Sequence, residues 1–118
     1  MNKPIYEAIK EYSRDEIENA ISKDDPNELL YAVLSVALYS EDSGYAEKIC
    51  VQLSNHTHFN VRGNAILGFS HIARIHDKLN EKLVKPIIIK ALKDENKYVR
   101  GHADCAKDDI KQFLGWKF

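Results

Sequence analysis

The sequence predicts an all-α fold: a short α-solenoid (α-α superhelix) of about three helix–turn–helix repeats behind an N-terminal capping helix, forming one domain over residues 1–118. Three observations carry this expectation. Val99, Ala103, Ala106, Ile110 and Phe113 follow one another at steps of four, three, four and three, the period of a single buried helix face. The phrase Val-Arg-Gly-x-Ala at Val99–Ala103 also stands at Val61–Ala65, 38 residues earlier. A period of roughly 20–50 residues built from paired helices marks a stacked repeat. Finally, only three prolines and five glycines punctuate the chain, and strand-like alternation is scarce.

The last copy of the phrase contains Leu92, Asp94, Val99, Arg100 and Ala103 in the pattern Leu-x-Asp-x-x-x-x-Val-Arg-x-x-Ala. This pattern resembles the HEAT repeat. The middle copy is looser, with Asn55 in the place of the Asp and a link expected to be one residue longer. The resemblance implies that Arg62 and Arg100 pair with the Asp of an inter-helix turn, building a ladder between repeats. Asp94 holds the acceptor place in the third repeat, Asn55 in the second, and Asp24 or Asp25 in the first.

Taken in order, Pro4 suits the first turn of an opening helix, where its missing N–H leaves no bond unmade. Ile5, Ala8, Ile9 and Tyr12 would form that helix's stripe and cap the stack. Ser13 and Glu16 have the spacing of a capping box, starting a helix with Ile17, Ala20 and Ile21 inward. Asp25 and Pro26 then read as N-cap and first helical residue. Leu29–Tyr39 is apolar nearly all round, which places it at the heart of the core. Ser40–Gly44 is a turn cluster. The next helix runs to Leu53 with Ala46, Ile49, Cys50 and Leu53 inward. Its partner, from about Asn60 to Ile75, buries Val61, Ala65, Gly68 and Ile72, widened by Leu67, Phe69 and Ile75. Gly68 costs helix propensity of roughly 1 kcal/mol against Ala, so close helix packing is expected there. A further helix, from about Asn80 to Lys93, points Leu83, Ile87, Ile88 and Ala91 or Leu92 inward, and Pro86 should bend it or end its first turn. Phe113, Leu114, Trp116 and Phe118 would cover the open end of the stack.

Composition narrows the function classes. The chain is 44% hydrophobic and 30% charged with a net charge of −1, so it lacks the large basic field that draws nucleic acid or anionic lipid. Charge is unevenly spread: residues 1–30 carry four basic and eight acidic groups, residues 31–93 eight and five, and residues 94–118 five of each. No run approaches the ~20 apolar residues of a membrane span. Cys50 and Cys105 sit at helical positions expected to be buried and read as reduced thiols of a cytoplasmic protein. The N-terminal segment has neither an apolar signal core nor transit-peptide character.

The motifs for chemistry are missing. His56 and His58 lie on one link but match no zinc spacing. Asp104 and Asp108 share a helix face, yet Lys107 and Lys111 interleave with them, so a solvated surface is the default. No nucleophile elbow or phosphate-cradling glycine loop is present. The chain therefore reads as a non-enzyme with no cofactor and no metal.

The expected function is protein binding through the second helix of each repeat. Tyr31, Ser35, Asn64, His71, Arg74, His102, Asp108, Asp109 and Gln112 are the candidate concave-face residues. A compact HEAT-type chain of this size resembles the small bacterial immunity proteins that neutralise polymorphic toxins, including contact-dependent inhibition toxins. That resemblance implies stoichiometric occlusion of a toxin domain by a monomer, with dimerisation through the terminal aromatics as the alternative state. The competing functions are a scaffold or adaptor for another protein, a HEAT-type enzyme subunit, and nucleic-acid binding around Arg62, Arg74, Lys78 and Lys82.

Overall fold

Every helix in the computed structural model, which describes residues 9–118, begins on a side chain suited to that place. Among the described residues there are six helices and no strand: α1 (Arg14–Lys23), α2 (Pro26–Tyr39), α3 (Ser43–Leu53), α4 (Phe59–His76), α5 (Glu81–Ala91) and α6 (Lys97–Leu114). The Ser13–Glu16 capping box closes as expected: Ser13 Oγ accepts from the Glu16 N–H at 3.2 Å, and Glu16 Oε1 accepts from the Ser13 N–H at 3.0 Å. Asp42, His58, Asn80 and Asn96 cap α3 to α6, each accepting a backbone N–H of the first turn. Asp25 precedes Pro26 at the start of α2 without a side-chain capping bond.

The helices pack in pairs. α2, α4 and α6 lie side by side, with α4 in contact with both others. α1 packs on α2, α3 lies against α2 and α4, and α5 against α4 and α6. One core runs through the whole, from Ile17 and Ala20 through Leu29, Val33 and Ala37 to Phe69, Ile72, Ile88 and Ile110.

The second and third pairs are copies at a strict offset of 38 residues. α3 and α5 are both 11 residues long, α4 and α6 both 18, and their caps fall in step. The two links are therefore equal, which corrects the expectation of a longer link in the middle copy. His56, not Asn55, stands opposite Asp94. Arg62 donates from Nε and Nη2 to the two oxygens of Asp94 at 2.8 and 2.9 Å, and from Nη1 to the carbonyls of His56 and Thr57. Arg100 repeats the second grip on its own link, donating from Nη1 to the carbonyls of Asp94 and Glu95 at 2.7 and 3.1 Å. In the first link Asp24 meets His56 Nε2 at 2.7 Å. Asn55 takes no part.

Several expected core residues lie elsewhere. Leu83, Ile75 and Phe113 are exposed: Leu83 lies one residue before the buried Val84, and Ile75 and Phe113 lie in the last turns of their helices, beyond the buried Ile72 and Ile110. Val84 and Ile66, fully buried, were not among the expected core. Cys105 is exposed on α6, whereas Cys50 is buried and its thiol is pushed up to about 12 by burial. α5 runs through Pro86 without a break. The carbonyl that Pro86 leaves unpaired belongs to exposed Lys82, where water can reach it. Most of the expected capping helix lies outside the described residues, and Ile9–Tyr12 are not helical. They strap across α2 instead: Tyr12 N–H donates to Ser35 Oγ at 2.7 Å and Tyr39 Oη–H to the Ile9 carbonyl at 3.3 Å. Of the terminal aromatics, Trp116 joins the core while Phe113 and Phe118 remain exposed. Lys85 Nζ lies 5.7 Å from the centre of the Phe118 ring, so the tail turns towards α5.

Candidate functional site

The nine candidate residues fall on α2, α4 and α6, and the fold separates them into three groups. Ser35 and Asn64 are buried. Ser35 is taken up by the Tyr12 strap, and Asn64 Nδ2 donates to the Asn60 carbonyl at 2.8 Å. Both hold the framework and are not surface contacts, a correction to the sequence expectation. An apolar helix surface with one polar atom inside looks the same in sequence whether that atom faces solvent or a strap.

The second group is a polar cluster where α4 meets α6. Ser70 Oγ donates to Asp109 Oδ2 at 2.5 Å, tying the two helices together. Arg74 Nη2 lies 3.4 Å from His71 Nδ1. Burial lowers the His71 imidazole to about 4, aided by the Arg74 charge and the neighbouring His102 and opposed by Asp109. His102 is also lowered, by burial alone. At neutral pH both rings are therefore uncharged between a guanidinium and a carboxylate. Ser70 is 4% exposed and gives its proton to Asp109, so it is not presented as a nucleophile.

The third group is on the outside. Tyr31 on α2, Arg74 on α4, and Asp108 and Gln112 on α6 are exposed. Sequence reasoning missed the aromatic row that continues from this surface. His58 stacks on Phe59 with ring centres 5.1 Å apart, Phe59 meets Tyr98 edge-on at 5.9 Å, and Tyr98 meets His102 at 4.4 Å. Phe59 and Tyr98 keep 40% and 48% exposure, enough area to meet another molecule. Their positions in the first turns of paired helices were the available signal. The row links the starts of α4 and α6 to the polar cluster through His102, which neighbours His71. Exposed tyrosine, phenylalanine and arginine are typical of protein-recognition surfaces.

The other chemistries considered from the sequence find their residues engaged elsewhere. His56 uses both ring nitrogens, Nε2 towards Asp24 and Nδ1 as acceptor from the His58 N–H, while His58 Nδ1 caps α4. Among the described residues no group of three or more His, Cys, Asp or Glu is placed to hold a metal ion. Arg62, one of the four residues of the basic middle, is bound to Asp94. Among the described residues no helix is long and apolar enough to cross a membrane.

No family model matches the chain, and no curated protein does. Among solved structures it is similar to a chain in the crystal structure of a CDI complex from Cupriavidus taiwanensis LMG 19424. The TM-score is 0.77 at 22% identity, covering 96% of each chain. At that identity the likeness establishes a common fold over nearly the whole length.

Proposed function

We propose that this chain is a non-catalytic, cytoplasmic protein-binding module: an immunity protein that binds a cognate bacterial toxin domain and occludes it, one molecule to one. Its helix pairs are read as a short HEAT-like superhelix whose second helices present the recognition surface. The observation that carries the proposal is the likeness to a chain of a CDI complex over 96% of both chains. The surface supports it. Tyr31, Phe59 and Tyr98 offer aromatic area, and Arg74, Asp108 and Gln112 offer exposed polar groups for directional contacts. Asp109, His71 and His102 sit beneath, held in place by α4 and α6. A rigid base of this kind keeps the ordering cost of binding low.

The mechanism is steric and electrostatic. Carboxylates on α6 would face cationic groups of a nuclease-type toxin, speeding encounter and excluding its substrate. The test is co-expression with the product of the neighbouring gene, which is expected to be a toxic domain. Growth should be restored by the wild-type protein. Growth arrest that persists despite soluble expression of both chains contradicts the proposal.

A further inference from the structure

The last repeat carries a docking face with no occupant. Arg62 and Arg100 are equivalent residues, 38 positions apart, and hold the same posture. Each donates from Nη1 to the carbonyls six and five residues before it, His56 and Thr57 for Arg62, Asp94 and Glu95 for Arg100. In Arg62 this posture leaves Nε and Nη2 to grip a carboxylate of the next link, that of Asp94. Among the described residues, no carboxylate meets Nε or Nη2 of Arg100. The neighbouring glycines repeat the asymmetry. A Cβ on Gly63 would lie 3.0 Å from the His102 ring and 3.6 Å from Val99, so Gly63 makes room for the helix that docks on it. A Cβ on Gly101 would meet nothing within 4 Å. An exposed glycine in a helix with no neighbour to admit costs roughly 1 kcal/mol, and among the described residues nothing makes use of it.

We infer that the open flank of α6, centred on Arg100 and Gly101, is a docking edge for a partner protein that presents a carboxylate to the Arg100 fork and a bulky side chain over Gly101. The inference rests on the protein-binding proposal and adds to it the place and the chemistry of the contact. The occupant's chemistry is read from the copy inside the molecule, where Asp94 fills the fork and His102, Val99 and Tyr98 cover the glycine. The remainder of the flank says what the occupant is not. On α4 the flank that receives α6 contains Ile66 and Ser70, both buried, and the equivalent positions on α6 are the exposed Asp104 and Asp108. A unit of the same sequence stacked in this register would bring an Asp109 carboxylate onto Asp108, which repulsion opposes. Asp104 already meets Lys107 Nζ at 3.4 Å, so the partner's surface is acidic opposite Arg100 and cationic opposite Asp108.

Two measurements on the full-length protein decide it. In the first, a capped synthetic peptide with the sequence Leu92–Ala106 is titrated while the Arg100 Nε–H and Gly101 amide NMR signals are followed. Saturable shifts of both are expected, at least fivefold weaker with a peptide carrying Asn at the Asp94 place. Signals that do not move, or that move equally with both peptides, overturn the inference. In the second, the complex with the product of the neighbouring gene, the toxin expected by the immunity proposal, is measured with Gly101→Leu and Arg100→Lys. Gly101→Leu should weaken binding at least tenfold while unfolding at the wild-type temperature or above, and Arg100→Lys should weaken binding at least fivefold. Binding within twofold of wild type for both variants overturns the inference and leaves the immunity proposal standing. If the wild-type protein forms no complex, the immunity proposal fails and the peptide titration alone decides the docking edge. A dimer of the free protein that Gly101→Leu dissociates replaces the partner with a second copy and overturns the assignment.

Discussion

Arg62 holds Asp94 through two parallel hydrogen bonds across consecutive repeats, and each side chain is only 15% exposed. Asp94 also accepts from the Asn96 N–H at 2.9 Å, so one carboxylate fixes a guanidinium and the start of its own helix. These contacts hold the Asp94 carboxyl below the usual carboxylate range, the Arg62 hydrogen bonds first, and raise Arg62 in turn. Removing one partner of such a sheltered pair strands the other, so Asp94→Asn should cost about 2–4 kcal/mol. Because the native carboxyl is lowered, its contribution is complete above the unfolded carboxylate pKa of about 3.9 and disappears as pH falls through the lower native value. Urea midpoints measured from pH 6 to pH 2 should show a steep acid limb in wild type and a shallower one in Asp94→Asn.

Gly68 permits the contact between α4 and α3. A Cβ there would lie 2.6 Å from Cys50 Sγ and 3.4 Å from the Ala37 Cβ. Gly68→Ala should therefore destabilise by about 1–3 kcal/mol, despite the gain of helix propensity. Cys50→Ala removes the clashing sulfur, so adding it to Gly68→Ala should recover part of the loss. Denaturation of the two single variants and the double variant checks this. Strictly additive losses would contradict the packing account.

His71 makes the protein sensitive to mild acid. The imidazole is lowered to about 4 in the folded state, by burial first and by Arg74 second, whereas an unfolded histidine titrates near 6.5. The unfolded chain therefore binds the extra proton between these values. Protonation of His71 should lower stability by about 2–3 kcal/mol as pH drops from about 6.5 to 4, and this contribution should level off below. His102, lowered by burial, acts in the same direction. His71→Gln should flatten this part of the profile in chemical denaturation, and an unchanged slope would contradict it.

The two glycines of the repeated phrase should respond oppositely. Gly63→Ala meets the His102 ring at 3.0 Å and should lose about 1 kcal/mol or more. Gly101→Ala meets nothing and should gain roughly 0.5–1 kcal/mol from helix propensity. Thermal unfolding of both variants checks the contrast.

Much of this fold was legible in the residues. The capping box at Ser13 and Glu16, the Asp25–Pro26 start, the all-round apolar α2 and the 38-residue phrase each named an element before any coordinates. These signals are local, so they survive without tertiary information. What failed was telling which apolar residues of a helix face the core. Leu83 and Ile75 are apolar in sequence yet stand beside the buried Val84 and Ile72, since an apolar cluster on a helix does not reveal which member faces the core. The candidate surface was legible only in part, for Ser35 and Asn64 lie under contacts from Tyr12 and Asn60. The His58–Phe59–Tyr98–His102 row joins the start of α4 to the first turns of α6, and only their packing brings it together.

The central claim is that the surface of α2, α4 and α6 binds a protein toxin. The most direct measurement is size-exclusion chromatography with light scattering of this chain mixed with the purified product of the neighbouring gene, the toxin this account expects, with its toxic activity assayed on the same fractions. The account predicts a 1:1 complex in which that activity is lost, and no such complex for Arg74→Glu combined with Asp108→Lys. Separate elution with full toxin activity would contradict it.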